Sequence, residues 1–177
     1  MKHEIEIVTL RLKLVGANTA LLRAQLAGDV ELALALQADV PSAWPPEHID
    51  PPTIEWALAQ VRGLSDDAIW RMYYIMLCAP RAVAIGTCGF KGPPDAQRMV
   101  EVGYSVLPEY QRQGFASEAT AALIDAAYRA GAAEVIAETL PHLTASRRVM
   151  EKCGMQLIGA GSEEGVIRYR HQRVGIN

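Results

Sequence analysis

The sequence contains no apolar run that approaches the length of a membrane span. It contains no basic run either, and its 177 residues carry a formal net charge of −3. A broad electrostatic platform for nucleic acid or for an anionic membrane is therefore excluded. A local basic spot for one phosphate-bearing ligand stays open. Cysteine is scarce: Cys78, Cys88 and Cys153, an odd number with no Cys-x-x-Cys pair. Buried free thiols are the plain reading. His3, His48, His142 and His171 are scattered without metal-ligand spacing, so no metal is expected. No internal repeat or low-complexity tract occurs. A dinucleotide site would need Gly-x-Gly-x-x-Gly after an early strand, and that too is missing. Met1 to Glu6 alternates charged and apolar residues, unlike a signal peptide. With the cysteine usage, this points to a reducing cytoplasm.

What is present is apolar: 50% of the residues are hydrophobic and 21% charged. That suits one compact α/β or α+β domain over residues 1–177, with a core rather than disorder. Ile5 to Val15 alternates and predicts a strand. Asn18 and Asp29 can each cap a short helix, the first running to Gln25 and the second to about Ala38. Pro41 to Pro52 is a proline-rich loop carrying Trp44 and His48, and Thr53 to Arg62 is a helix. Ile69 to Leu77, Ala82 to Phe90 and Met99 to Leu107 predict an antiparallel meander. Phe115 to Ala130 is an alanine-rich helix with Ala119, Leu123, Ala126, Ala127 and Ala130 on one face. A strand (Glu134 to Leu140), a helix (Thr144 to Cys153) and two strands (Met155 to Ala160, Val166 to Arg173) close the chain.

The most informative segment runs from Tyr104 to Thr120. A strand ends near Pro108, a polar loop with one glycine follows, and a helix begins at once. The first N–H groups of a helix lack internal partners, and that end carries partial positive charge. Such a junction accepts phosphate oxygens. Gly114 lets the backbone approach closely, Ala116 keeps the next turn open, and Arg112 can add a charge-assisted hydrogen bond.

Gln111-x-x-Gly114-x-Ala116 resembles the pyrophosphate motif of the GNAT acetyltransferase superfamily. The resemblance extends through Glu101-Val102-Gly103-Tyr104-Ser105-Val106, Ser117-Glu118-Ala119 and Val149-Met150-Glu151-Lys152-Cys153-Gly154-Met155, and is similar to the branch that acetylates ribosomal-protein N-termini. It implies a mixed, twisted sheet of about seven strands flanked by helices, with the fourth and fifth strands splayed to admit a pantetheine arm. It implies acetyl-CoA as co-substrate, held by Val106, Leu107 and the run Gln111, Arg112, Gln113, Gly114, Phe115, Ala116 and Ser117. A backbone N–H near Leu107 would polarise the thioester carbonyl. Glu101 and Glu138 are candidate general bases for the amine, and Ser146 a candidate proton relay near the cofactor sulfur. Trp44 and His48 would wall the acceptor pocket, Trp56 and Trp70 less so, and Lys91 could guide an acidic substrate. The acceptor would be a small-molecule amine or a peptide N-terminus, with no nucleic acid or membrane partner, and the protein a monomer or homodimer. Two departures stand out: Leu143 occupies the position of a family asparagine, and Met150 that of a family tyrosine. An acyl-CoA-binding module with little or no transferase activity is the alternative.

Overall fold

The computed structural model describes residues 5–78 and 80–173; His3 and Met1 to Glu4 of the N-terminal reading lie outside them. The stretch expected as one strand is a hairpin. Strands β1 (Glu6–Val8) and β2 (Leu12–Gly16) pair antiparallel, with Glu6 opposite Val15. Thr9 closes the bend: its N–H donates to the Leu12 carbonyl at 2.9 Å, and its Oγ1 accepts the Leu12 N–H at 3.0 Å. A threonine that hydrogen-bonds backbone three residues on competes with extended structure. The apolar alternation continues through the bend, so the pattern alone hides it.

Helix α1 (Thr19–Ala27) starts at Asn18, whose side chain accepts the Leu21 N–H at 2.9 Å. Gly28, and not Asp29, caps α2 (Asp29–Leu36). Asp29 instead sits in the first turn, where an acid favours the helix dipole. Helix α3 (Pro51–Arg62) begins two residues before the expected Thr53. Asp50 accepts the Thr53 N–H at 3.0 Å, and Pro51 and Pro52 fill the first turn, where a missing N–H costs nothing.

The meander is β3 (Met72–Leu77), β4 (Val83–Phe90) and β5 (Met99–Val106). Helix α4 (Phe115–Arg129), β6 (Glu134–Thr139), α5 (Thr144–Lys152), β7 (Gln156–Ala160) and β8 (Ile167–Gln172) follow. The sheet has eight strands in the order β1-β2-β3-β4-β5-β6-β8-β7. All pairs are antiparallel except β5 with β6. The expected mixed sheet flanked by helices is present, with one strand more than expected because the first is divided.

Side chains alternate between the two faces of the sheet. Tyr73 and Ile75 enter a core closed by α4 and α5, through Ala119, Leu123, Ala127 and Met150. Tyr74 and Met76 enter a second core closed by α1, α2 and α3, through Leu22, Leu32, Ile54 and Leu58. Each fully buried leucine contributes about 1.5–3 kcal/mol. The alanine face of α4 is buried as expected apart from Ala130, which lies past the helix end and is exposed. Among the described residues, no helix is long and apolar enough to cross a membrane.

One feature of the pairing positions the site. β4 runs beside β5 along Val102–Val106, whereas β6 meets β5 only along Met99–Glu101. Beyond Glu101 the two strands part. The splay therefore opens between Met99–Val106 and Glu134–Thr139, the fourth and fifth strands of the expected count, which the division of the first strand renumbers β5 and β6.

Candidate active site

Past the end of β5 the chain makes a 3₁₀ turn (Pro108–Tyr110) and then a loop into α4. Two residues of that loop are left-handed: Arg112 at φ 61° and Gly114 at φ 84°. Glycine adopts this region freely, while a residue with a Cβ is strained there by about 1–2 kcal/mol. No side chain caps α4; its first internal bond runs from the Glu118 N–H to the Gly114 carbonyl at 3.0 Å. From Arg112 through Ser117 the backbone N–H groups have no partner among the described residues. Left-handed turns that line up successive N–H groups form anion-binding concavities. The Arg112 side chain is exposed and makes no fixed contact, while Gln113 folds back to the Glu109 carbonyl at 3.1 Å.

Gln111 does something else. Its Nε2 donates to the Val106 carbonyl at 2.9 Å, tying the loop to the end of β5. Leu107 donates its N–H to the Ile85 carbonyl at 2.9 Å, and its side chain is fully buried in the second core. The backbone N–H expected near Leu107 is therefore not that of Leu107 itself. Backbone groups of a strand alternate in direction. The Glu101 carbonyl accepts from Lys91, so Glu101 and Leu107 both face β4. Val102, Tyr104 and Val106 therefore turn their backbone groups into the splay.

On the α5 side the splay is bridged. The Tyr104 hydroxyl donates to the Ser146 carbonyl at 2.8 Å and lies 3.2 Å from Ser146 Oγ. Burial pushes the Tyr104 hydroxyl up to about 12, so it stays protonated at neutral pH. The opposite face holds the carboxylates. Glu101 and Ile136 are partners in the parallel ladder, so Glu101 and Glu138 share that face, away from Ser146. Glu101 forms an ion pair with Lys91, which crosses over Gly103. Lys91 is thereby paired and is not a free guide for an acidic substrate.

Glu138 is held more completely. It accepts from the Ser162 N–H (2.9 Å), Ser162 Oγ (2.6 Å) and Arg168 Nε (2.7 Å). Burial raises its carboxyl, but the Ser162 and Arg168 hydrogen bonds outweigh that and hold it below its ordinary value. A Cβ on Gly161 would come within 3.1 Å of this carboxyl. Glu138 thus clamps the β7–β8 connection, and its expected part as a base is corrected to that of a loop anchor.

The acceptor wall is also revised. Trp44 is 6% exposed and stacks on Tyr74 with centroids 6.2 Å apart. It packs the second core and presents no surface to a substrate. His48 is exposed beside Glu47, and its carbonyl accepts from Thr53 Oγ1 at the entry to α3. Trp70 packs edge-on against Phe90 at 5.0 Å. Trp56, a weaker candidate for that wall, is 44% exposed.

Residues 20–156 match the family described as an acetyltransferase (GNAT) domain. The chain belongs to the GNAT acetyltransferase family. A 90-residue stretch, 50% of this chain, is 36% identical to the uncharacterized N-acetyltransferase YoaA of Bacillus subtilis, of which it spans only 48%. Likeness to solved GNAT structures runs over nearly the whole chain. RimL, a ribosomal L7/L12 alpha-N-protein acetyltransferase in complex with coenzyme A, is 21% identical with a TM-score of 0.65, over 95% of this chain and 98% of its own. The ribosomal-protein-S5-alanine acetyltransferase from Vibrio fischeri is 17% identical with a TM-score of 0.67, over 96% and 97%. These two likenesses are of fold.

Within the GNAT frame, Leu143 precedes α5 as its N-cap and makes no side-chain cap. The Thr144 hydroxyl donates to the His142 carbonyl at 3.4 Å. Met150 is buried and has no proton to give. Two polar groups at the site escape a reading of the sequence: Tyr104, from β5, and Arg11, from the β1–β2 bend. Arg11 Nη1 donates to the Gln113 carbonyl at 3.0 Å, and its guanidinium lies 4.5 Å from the centre of the Phe115 ring. A charged residue interrupting the apolar alternation of the hairpin was the signal available for Arg11.

Proposed function

We propose that this GNAT protein, as one domain over residues 1–177, transfers an acetyl group from acetyl-CoA to a primary amine by direct attack. The observation that carries this is the unbroken run of unpartnered N–H groups from Arg112 through Ser117, at the start of α4 and beside the splay. Buried or half-buried donors are normally satisfied, and a pyrophosphate supplies the acceptors these lack. Acetyl-CoA brings the activated acetyl thioester. Val106 offers its N–H into the splay, where it can hydrogen-bond a carbonyl oxygen. Leu107, whose N–H is taken by Ile85, keeps only a structural place beside it.

Glu101 is the base in this reading, taking the amine proton directly or through one water, with Lys91 holding its carboxylate in place. Ser146 stands on the other face, oriented by Tyr104, and relays a proton toward the leaving sulfur. The acceptor is a small-molecule amine or a peptide N-terminus, and the free thiols Cys78, Cys88 and Cys153 support a cytoplasmic setting. Release of CoA thiol from acetyl-CoA, across a panel of amino acids, polyamines and short peptides, tests the reading. CoA binding without thiol release for any amine supports the acyl-CoA-binding alternative, which the buried Met150 favours.

A further inference from the structure

An acid in the first turn of α4 should repel the phosphates that this helix end is built to receive. Glu118 is that acid, and the fold turns it away. Its carboxylate accepts from Thr9 Oγ1 (2.6 Å), the Arg11 N–H (2.8 Å) and Arg11 Nε (2.7 Å). Burial raises this carboxyl, yet these hydrogen bonds hold it below the ordinary carboxylate value.

Arg11 is not exhausted by that pairing. Nε goes to Glu118, Nη1 to the Gln113 carbonyl, and the flat face of the guanidinium rests on Phe115. Nη2 makes no hydrogen bond among the described residues, and it lies 3.3 Å from where a Cβ on Gly114 would stand. The guanidinium is thus fixed on three sides, with its remaining edge toward the glycine that opens the loop. Guanidinium groups match phosphate oxygens in geometry and charge. A side chain already held in place loses little freedom on binding. The exposed Arg112, which nothing holds, lacks that advantage.

We propose that Arg11 is a pyrophosphate ligand of the acyl-CoA site, reaching it from the bend between the first two strands and donating from Nη2. This rests on the acetyl-CoA reading above. The class of ligand it recognises is a diphosphate ester, and the pantetheine arm is outside its reach.

Binding of CoA, 3′-dephospho-CoA and pantetheine to the unaltered protein, to Arg11→Gln and to Arg11→Lys decides the matter. Arg11→Gln is expected to weaken CoA and 3′-dephospho-CoA alike, by roughly tenfold to a hundredfold for one charge-assisted hydrogen bond, and to leave pantetheine unchanged. Arg11→Lys keeps a cation beside Gly114 and is expected to retain more of the affinity than Arg11→Gln. A loss shared by pantetheine means Arg11 only shapes the loop, and overturns the proposal. So does a loss for CoA that spares 3′-dephospho-CoA, which assigns Arg11 to the 3′-phosphate, and so does no loss at all. Should Arg11→Gln not fold, Arg11→Lys decides by the same comparison of the three ligands. If the unaltered protein does not bind CoA, the acetyl-CoA reading falls as well; a change seen only in the variants bears on Arg11 alone.

Discussion

The two walls of the splay are built on opposite plans. On the β5–α4 side, donors from Arg112 through Ser117 have no partners among the described residues, and two of those residues are left-handed. On the β6–β8 side, Glu138 is filled by Ser162 and Arg168, and Glu134 pairs with Arg170 and Gln172. Polar groups whose capacity is met inside the chain hold the chain together. Polar groups left open beside a cleft await a ligand. By that measure the open wall is the functional one, and Glu101 stands on the strand that leads into it.

The sharpest way to break this contrast is to fill the open wall. Gly114→Glu puts a carboxylate among the free donors and a Cβ at φ 84°. Left-handed strain of about 1–2 kcal/mol and lost charge-assisted bonds are expected to lower CoA affinity by roughly a thousandfold. Calorimetry measures this, with circular dichroism to confirm the fold. Retained affinity in a folded variant moves the pyrophosphate elsewhere.

Trp44→Ala probes a residue that belongs to neither wall. It is expected to cost about 3–5 kcal/mol in urea unfolding, as a buried tryptophan does, while KM for the amine stays the same. A raised KM with normal stability restores Trp44 to the acceptor pocket.

Glu101→Gln separates base from scaffold. It is expected to lower kcat by roughly 10²–10³-fold at neutral pH and to leave CoA affinity intact. The deficit should shrink toward high pH, where the amine is already neutral. Full activity across the pH range removes Glu101 from the chemistry.

Glu138→Gln is expected to act mainly on stability, by about 1–3 kcal/mol for charged hydrogen bonds, with a small change in kcat. The pH dependence has a definite sign. The folded carboxyl lies below its ordinary value of 4.5, so its contribution is present above that value and disappears as pH falls through the folded value. The unaltered protein should lose Tm in that acid window, and Glu138→Gln should lose less. A large drop in kcat with unchanged Tm would make Glu138 the base after all.

What the sequence discloses follows the distance over which each feature is built. The cofactor loop is contiguous from Gln111 to Ser117, so its motif, its glycine and its helix start are visible together. The meander and α4 are set by local periodicity and short turns, and their bounds fall within a few residues of expectation. Arg11 and Glu118 stand 107 positions apart, and no local pattern links them. Glu138 is filled by residues 24 and 30 positions later. Trp44 looks like a loop aromatic until α1, α2 and α3 are seen to close over it. The β1–β2 bend is invisible because a threonine hydroxyl, and not a glycine or proline, makes the turn.

The short parallel seam between β5 and β6 has a mechanical consequence. Three ladder pairs, Met99–Glu134 to Glu101–Ile136, join the two halves of the sheet, and past them β5 continues alone on that side through Val102–Val106. That free length is about 17 Å at the usual strand rise. The seam is the fulcrum of a wedge, and the mouth lies at the far end of the arm. A rotation of about 5° at the fulcrum shifts the mouth by roughly 1.5 Å over an arm of that length. Val100 and Val135, a buried pair in the middle of that seam, stand at the closed end of the wedge, so repacking them is expected to alter the width of the opening from there.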